Sequence, residues 1–138
     1  MDKSYDHKKY EKRIYNLWEK SCAFTPKITN QKSAFTIIMP PPNANDPLHI
    51  GHARFIAIED VLIRYQRMKG VPTLWLPGSD HAGIETQFVF EKKLREKGKS
   101  RFDYDRDVLY KMIWDYVAEN EEVTLNQMKK LGASADWT

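Results

Sequence analysis

Two short apolar runs, each stopped by proline, constrain this chain more than anything else in it. The first is AFTIIM (Ala34 to Met39), followed at once by Pro40, Pro41 and Pro42; the second lies within PTLWLPG (Pro72 to Gly78). Both are near-continuous apolar runs, and the first is rich in aromatic and β-branched residues. Each reads as a short strand buried on both faces, the type found in parallel sheets. Proline donates no hydrogen bond to a strand ladder, which sets where each run stops. The stretch between them has the length and pattern of a helix. Strand, helix, strand in this order is a βαβ unit, so a parallel pair with a right-handed crossover is expected.

The crossover helix is expected to start at Asp46-Pro47, a capping carboxylate followed by proline at the first helical position, and to run to Lys69. Leu48, Phe55, Ile58, Leu62, Tyr65 and Met68 are expected to face inward, with Gly70 as a left-handed stop. Ahead of the first strand, Lys8 to Ser21 places Tyr10, Ile14, Leu17 and Trp18 at helical spacing behind a candidate cap, Asp6. Polar residues around Thr29 to Ser33 read as a loop. Beyond the second strand, Ala82 to Lys97 reads as a helix closed by Gly98. Asp105 caps a last long stretch to Leu131, ended by Gly132, with a break expected near Glu119–Glu122. Trp75 and Trp114 are expected in the core.

The fold class is therefore α/β. Residues 1–33 are expected to form an N-terminal helical extension, and residues 34–138 an α/β core with parallel strands and C-terminal helices. An unfinished sheet edge favours self-association unless a partner covers it.

Composition narrows the classes further. The chain has 138 residues, 41% hydrophobic and 30% charged, which reads as globular rather than disordered. A formal charge of +3 tolerates a polyanionic partner without demanding one. One cysteine, Cys22, excludes an internal disulfide framework and a cysteine-based metal cluster, and suits a reducing cytoplasm. No apolar run approaches membrane-spanning length and the segment from Met1 to Lys9 is charged, so a cytoplasmic location and no membrane partner are expected.

Ligands of open parallel sheets sit beyond the carboxyl ends of the strands. One such loop, Pro40 to His52, delivers two imidazoles and a helix N-terminus; the other, PGSDHAG (Pro77 to Gly83), delivers Asp80 and His81. A helix N-terminus favours phosphate through its free N–H groups and partial positive charge. His49 and His52, three apart, can donate ring N–H bonds to phosphate oxygens, and Gly51 removes a side chain where a flat ring can approach the backbone. Reactions at phosphorus gain mainly from such positioning and charge stabilisation, so no nucleophilic side chain is required. Asp80 can equally cap the helix at Ala82, and a metal site built from His49, His52, Asp80 and His81 is a lesser alternative; no tightly bound metal is expected. Lys92, Lys93, Arg95 and Lys97 read as a solvated helix face.

His-Ile-Gly-His (His49 to His52) matches the HIGH signature, and here the chain resembles the class I aminoacyl-tRNA synthetases. PPPN (Pro40 to Asn43), RYQRMKG, TLWLPGSDHAGIETQ, EKKL (Glu91 to Leu94) and the closing LGASADW (Leu131 to Trp137) make it similar to the valine-specific branch, from about Tyr5 onward. The resemblance implies that His49 and His52 contact ATP, arriving with Mg2+, and the transition state of amino-acid adenylation, with Gly51 beneath the adenine. It implies that Asp80 and a carbonyl of the proline run, Pro41, hold the substrate ammonium. Pro40 and Pro41 give apolar surface to the valine side chain, and Asn43 bonds its polar end. The implied partners are valine, ATP, tRNA and a missing C-terminal part of the enzyme. The chain departs from the family at Ala44-Asn45-Asp46-Pro47, at Ser79 and at Glu85, where alanine is common; Asp46 and Glu85 turned inward would repel triphosphate. The resemblance implies that residues 34–138 are the first half of a doubly wound, Rossmann-like parallel-sheet nucleotide-binding domain, incomplete at its C-terminus, and no KMSKS-like loop occurs in these residues. Three readings follow: a portion of a valine–tRNA ligase, a non-catalytic ATP- or amino-acid-binding fragment or regulatory module, and an adenylyltransferase of the wider H-x-G-H group.

Overall fold

The computed structural model of the protein describes residues 4–28 and 33–138, so most of the loop expected around Thr29 to Ser33 lies outside the described residues. In chain order the elements are α1 (His7–Lys20), β1 (Phe35–Ile38), α2 (Ile50–Met68), β2 (Thr73–Leu76), α3 (Gly83–Glu96), a 3-10 turn (Arg101–Asp103) and α4 (Arg106–Leu131). The two strands pair in parallel, Phe35 opposite Thr73 and Ile37 opposite Trp75, with α2 as the crossover. This is the expected βαβ unit. Helix α4 runs unbroken through the expected break near Glu119–Glu122, because Val117, Asn120, Thr124 and Met128 keep a helical row of buried contacts across it. Gly132 ends it in the left-handed conformation, φ 87°, which an L side chain adopts only with strain.

The strands are buried on one face only, contrary to expectation. Thr73 and Trp75 are buried and Phe35 and Ile37 half-buried, whereas Ile38 and Leu76 are exposed. All described helices that pack on this sheet cover the Trp75 side, and a parallel sheet is sealed on both faces only when helices lie on both. The core gathers Met39, Ile56, Ile63, Trp75, Met128, Ala133 and Ala135. Trp75 settles its buried indole N–H on the Glu59 carboxylate at 2.9 Å, and burial pushes that carboxyl up while the bond to Trp75 draws it back. Trp114, expected in the core, is half exposed at 53%.

The inward face of α2 is also rotated from the one expected. Ile56 and Ile63 are buried, while Ile58, Leu62, Tyr65 and Met68 are exposed. What turns the helix is polar. Arg67 donates to the Ser134 carbonyl at 2.9 Å, the Ser134 hydroxyl at 2.8 Å and the Phe24 carbonyl at 2.8 Å. Arg64 bonds Asp60 at 2.7 Å and the Gly132 carbonyl at 2.8 Å, and Asp60 in turn accepts from the Ser134 N–H and hydroxyl. Burying these charges requires partners in place, so the row Asp60, Ile63, Arg67 faces in.

Asp6 caps α1 as expected, accepting from Lys8 N–H at 3.1 Å. The apolar face of α1 is centred on Tyr15 rather than on Leu17, which is 65% exposed. The buried Tyr15 hydroxyl donates to the Ala133 carbonyl at 2.6 Å and accepts from the Trp137 indole at 2.7 Å, which ties the N-terminal helix to the closing segment. Burial pushes the Tyr15 phenol up from its ordinary 10.0 to about 12. Stability contributed by this neutral hydroxyl is complete below pH 10 and lost as pH rises through about 12. Tyr15→Phe should cost about 1–3 kcal/mol at neutral pH, since two buried polar groups lose their partner. In denaturant titrations the gap between the two proteins should narrow progressively above pH 10; a gap that stays constant there would refute the buried neutral phenol.

Candidate active site

Both loops that leave the sheet at its carboxyl edge are held together by a continuation of the strand ladder. The Asp80 N–H donates to the Pro42 carbonyl at 2.9 Å, and the Ala44 N–H donates to the Asp80 carbonyl at 2.8 Å, so Asn43 and Asp80 form a parallel bridge. Pro41 stands against Gly78, whose position would bring a Cβ within 3.5 Å of the Pro41 ring. Pro40 and Pro41 are exposed and Pro42 is buried. Among the expected amino-acid contacts, the structure thus brings Asn43 and Asp80 into direct register with Pro41 beside them.

Asp80 does two things at once. One carboxylate oxygen accepts from the Ala82 N–H at 2.8 Å, holding Ala82 in the left-handed conformation, φ 52°, that starts α3. That conformation costs a non-glycine residue roughly 1 kcal/mol, so it needs such support. The side chain is exposed, and among the described residues its other oxygen accepts no hydrogen bond. Glu85 accepts from the Asn43 carboxamide N–H at 2.7 Å. Its charge is therefore turned onto a donor, and the Asn43 carbonyl oxygen is left as the free end of that amide. Carboxylate, amide oxygen and strand-end carbonyls are all acceptors, the set that suits an ammonium group.

Helix α2 does not begin at Asp46-Pro47. It begins at Ile50, with His49 as its cap, because His49 and His52 satisfy the helix end reciprocally. The Gly51 N–H donates to His49 Nδ1 at 3.0 Å, and the His49 N–H donates to His52 Nδ1 at 3.2 Å. An aspartate at position 46 is three residues too early to reach those donors, and Asp46 is exposed. The two rings lie with centroids 4.1 Å apart. Burial, and secondarily the neighbouring His49, hold the His52 imidazole below its ordinary 6.5. His81 is exposed and packs edge-on to Trp114 at 5.6 Å. Among the described residues no group of three or more His, Cys, Asp or Glu side chains is arranged to hold a metal ion, and no helix is long and apolar enough to cross a membrane.

Helix α4 braces both loops, which the sequence reading missed. Gln127 accepts from the Leu48 N–H at 2.8 Å, just ahead of the histidines. Tyr116 donates to the Asn45 carbonyl and is itself bonded by Lys93 at 2.6 Å, and Ser79 bonds Glu121. Gln127, Tyr116 and Glu121 sit 79, 71 and 42 residues from the loop residues they hold, so no local pattern marks them.

A model of the tRNA synthetases class I (I, L, M and V) matches residues 13–138. The chain belongs to this family. It is 46% identical over 138 residues to a valine–tRNA ligase of Treponema denticola, covering 99% of this chain and 15% of that protein. It is 48% identical over 128 residues to chloroplastic/mitochondrial valine–tRNA ligase 2 of Arabidopsis thaliana, covering 93% and 13%, and 45% identical over 138 residues to the Clostridium acetobutylicum valine–tRNA ligase, covering 100% and 16%. The fold matches the agnB2 LeuRS of Agrobacterium radiobacter K84, solved as a LeuRS–tRNA–LeuAMS ternary complex. The TM-score is 0.74 at 22% identity, over 97% of this chain and 15% of that one. That likeness bears on the fold alone. The chain therefore spans about 15% of the length of the synthetases it matches.

Two outcomes check this geometry. Gln127→Ala should cost about 1–2 kcal/mol by leaving the Leu48 N–H unpaired, and should speed hydrogen exchange at that amide; Gln127→Glu, which keeps an acceptor, should not. His52 should titrate below 6.5 by NMR, and His49→Ala should raise its midpoint by removing the neighbouring ring. Because His52 is depressed in the folded chain, the stability it contributes is complete above pH 6.5 and lost as pH falls through the depressed value.

Proposed function

We propose that this chain supplies the amino-acid-binding half of a valine-activating site together with the first of its ATP-binding elements. In this reading valine's ammonium lies against the free oxygen of Asp80, the Asn43 side-chain oxygen and the Pro41 carbonyl. Its branched side chain rests on Pro40 and Pro41. ATP, arriving as its Mg2+ complex, lays its phosphates at the start of α2. There Gly51 lies beneath the adenine, and His49 and His52 donate from their rings. The valine carboxylate then attacks the α-phosphorus. A new carboxyl–phosphorus bond forms as the bond to the bridging oxygen breaks, and pyrophosphate leaves, giving valyl-adenylate for transfer to tRNA. The residues named act by holding charge and orientation, which supply most of the rate in phosphorus chemistry.

The observation that carries this reading is the Asn43–Asp80 bridge. It fixes an uncommitted carboxylate oxygen beside the proline run, a few residues ahead of the capped histidine pair. The identity to valine–tRNA ligases supports valine over other amino acids. The chain spans 15% of the first valine–tRNA ligase it matches, so binding is assigned to it and turnover to the longer enzyme.

Calorimetric titration with a non-hydrolysable valyl-adenylate analogue tests the reading. The chain should bind the valine analogue more tightly than the threonine one. Asp80→Asn should weaken binding at least tenfold, the factor expected for a charge-assisted hydrogen bond. His49→Ala/His52→Ala should weaken the nucleotide part while leaving the amino-acid preference. Equal binding by the Asp80→Asn variant would remove Asp80 from the site. Valine-dependent ATP–pyrophosphate exchange at the level of the double histidine variant is the expected result for the isolated chain; exchange above it would overturn the binding-only assignment.

A further inference from the structure

Gly51 has no backbone reason to be glycine. It is the second residue of α2, its φ is not in the left-handed region, and alanine is favoured over glycine inside helices by about 1 kcal/mol. What surrounds it is the ring of His49. A Cβ on Gly51 would lie 2.8 Å from Cε1 and 3.0 Å from Nδ1 of that ring. Such a contact at 2.8 Å is closer than side chains tolerate, and the obstructing atoms sit at the end of a rotatable side chain. The ring, rather than the helix, would move.

We propose that Gly51 is a positioning residue that locks His49 in the same tautomer as its neighbour His52. With no side chain at position 51, the His49 ring folds back over the first turn and its Nδ1 accepts the Gly51 N–H at 3.0 Å. The backbone N–H of His49 in turn donates to His52 Nδ1 at 3.2 Å. A neutral imidazole carries one N–H and one bare nitrogen. Both δ nitrogens are taken as acceptors by backbone donors, so both ring protons reside on Nε2. The outcome is a pair of neutral N–H donors whose centroids are 4.1 Å apart, oriented before any ligand arrives. The depressed His52 agrees with a ring that stays neutral. This rests on the reading that the pair meets phosphate, and it gives the glycine a role distinct from making room for a flat nucleobase.

The deciding measurement is nitrogen-15 NMR of the histidine rings on the 138-residue chain without ligand, for wild type, Gly51→Ala, and Gly51→Ala in a His49→Ala background. Wild type should show His49 and His52 protonated at Nε2. In Gly51→Ala the Nδ1 of His49 should lose its acceptor signature, and ATP affinity should fall about tenfold, the upper factor for one neutral hydrogen bond. In the His49→Ala background the same glycine substitution has no ring to displace, so it should leave the His52 tautomer where His49→Ala alone leaves it and should lower ATP affinity less than it does beside an intact His49. A wild-type His49 carrying its proton on Nδ1 would overturn the proposal without any variant. Unchanged ring nitrogens in a folded Gly51→Ala chain would overturn it too, as would an equal loss of ATP affinity in both backgrounds, which would leave the glycine acting on the nucleotide alone. If the tautomers behave as expected while ATP leaves every ring resonance unmoved, the lock stands and the phosphate reading fails.

Discussion

Two parallel strands cannot be joined by a tight turn, and the rest of this molecule follows from that constraint. The chain must return from the carboxyl end of β1 to the start of β2, and α2 is the return path. The loops that follow β1 and β2 then emerge on the same edge. The short bridge between Asn43 and Asp80 continues the ladder past the strands and makes one structure of the two loops. A sheet of two strands has little stiffness of its own, however. The loops are fixed because α4 crosses beneath them and holds each by a side chain, with Met128 of the same helix in the core.

The polar network around Arg67 does comparable work at the other end of α2. Its guanidinium joins the end of α1, through Phe24, to the closing segment, through Ser134, while Asp60 accepts from Ser134 on the same face. Breaking one such buried group would leave several others without partners, so the network sets the rotation of α2 as well as stabilising it. That rotation decides where His52 and the helix start point. Residues that never approach the candidate ligand site thus determine its orientation.

The candidate site is built almost wholly from acceptors in one loop and neutral donors in the other. Asp80, the Asn43 oxygen and strand-end carbonyls suit a cation, and the helix start with its histidine ε nitrogens suits an anion. The two loops thus divide opposite charges between them. Glu85 fits this division because its carboxylate is spent on the Asn43 amide.

The sequence by itself determined the βαβ order, the strands and where proline ends them, the caps at Asp6 and Gly132, and the two loops that carry His49, His52, Asn43 and Asp80. These are local matters: propensity, turn chemistry and spacing are written within a few adjacent residues. Only the tertiary structure decided the rest. The start of α2 moved from Asp46-Pro47 to His49, because two histidine rings answer the helix end better than a carboxylate placed too early. The buried face of α2 passed from Ile58, Leu62 and Tyr65 to Ile56, Ile63 and Arg67, because long-range hydrogen bonds outweighed apolar periodicity. The braces from Gln127, Tyr116 and Glu121 were invisible for the same reason. A contact between residues so far apart in the chain is an outcome of packing, and no stretch of sequence carries it alone.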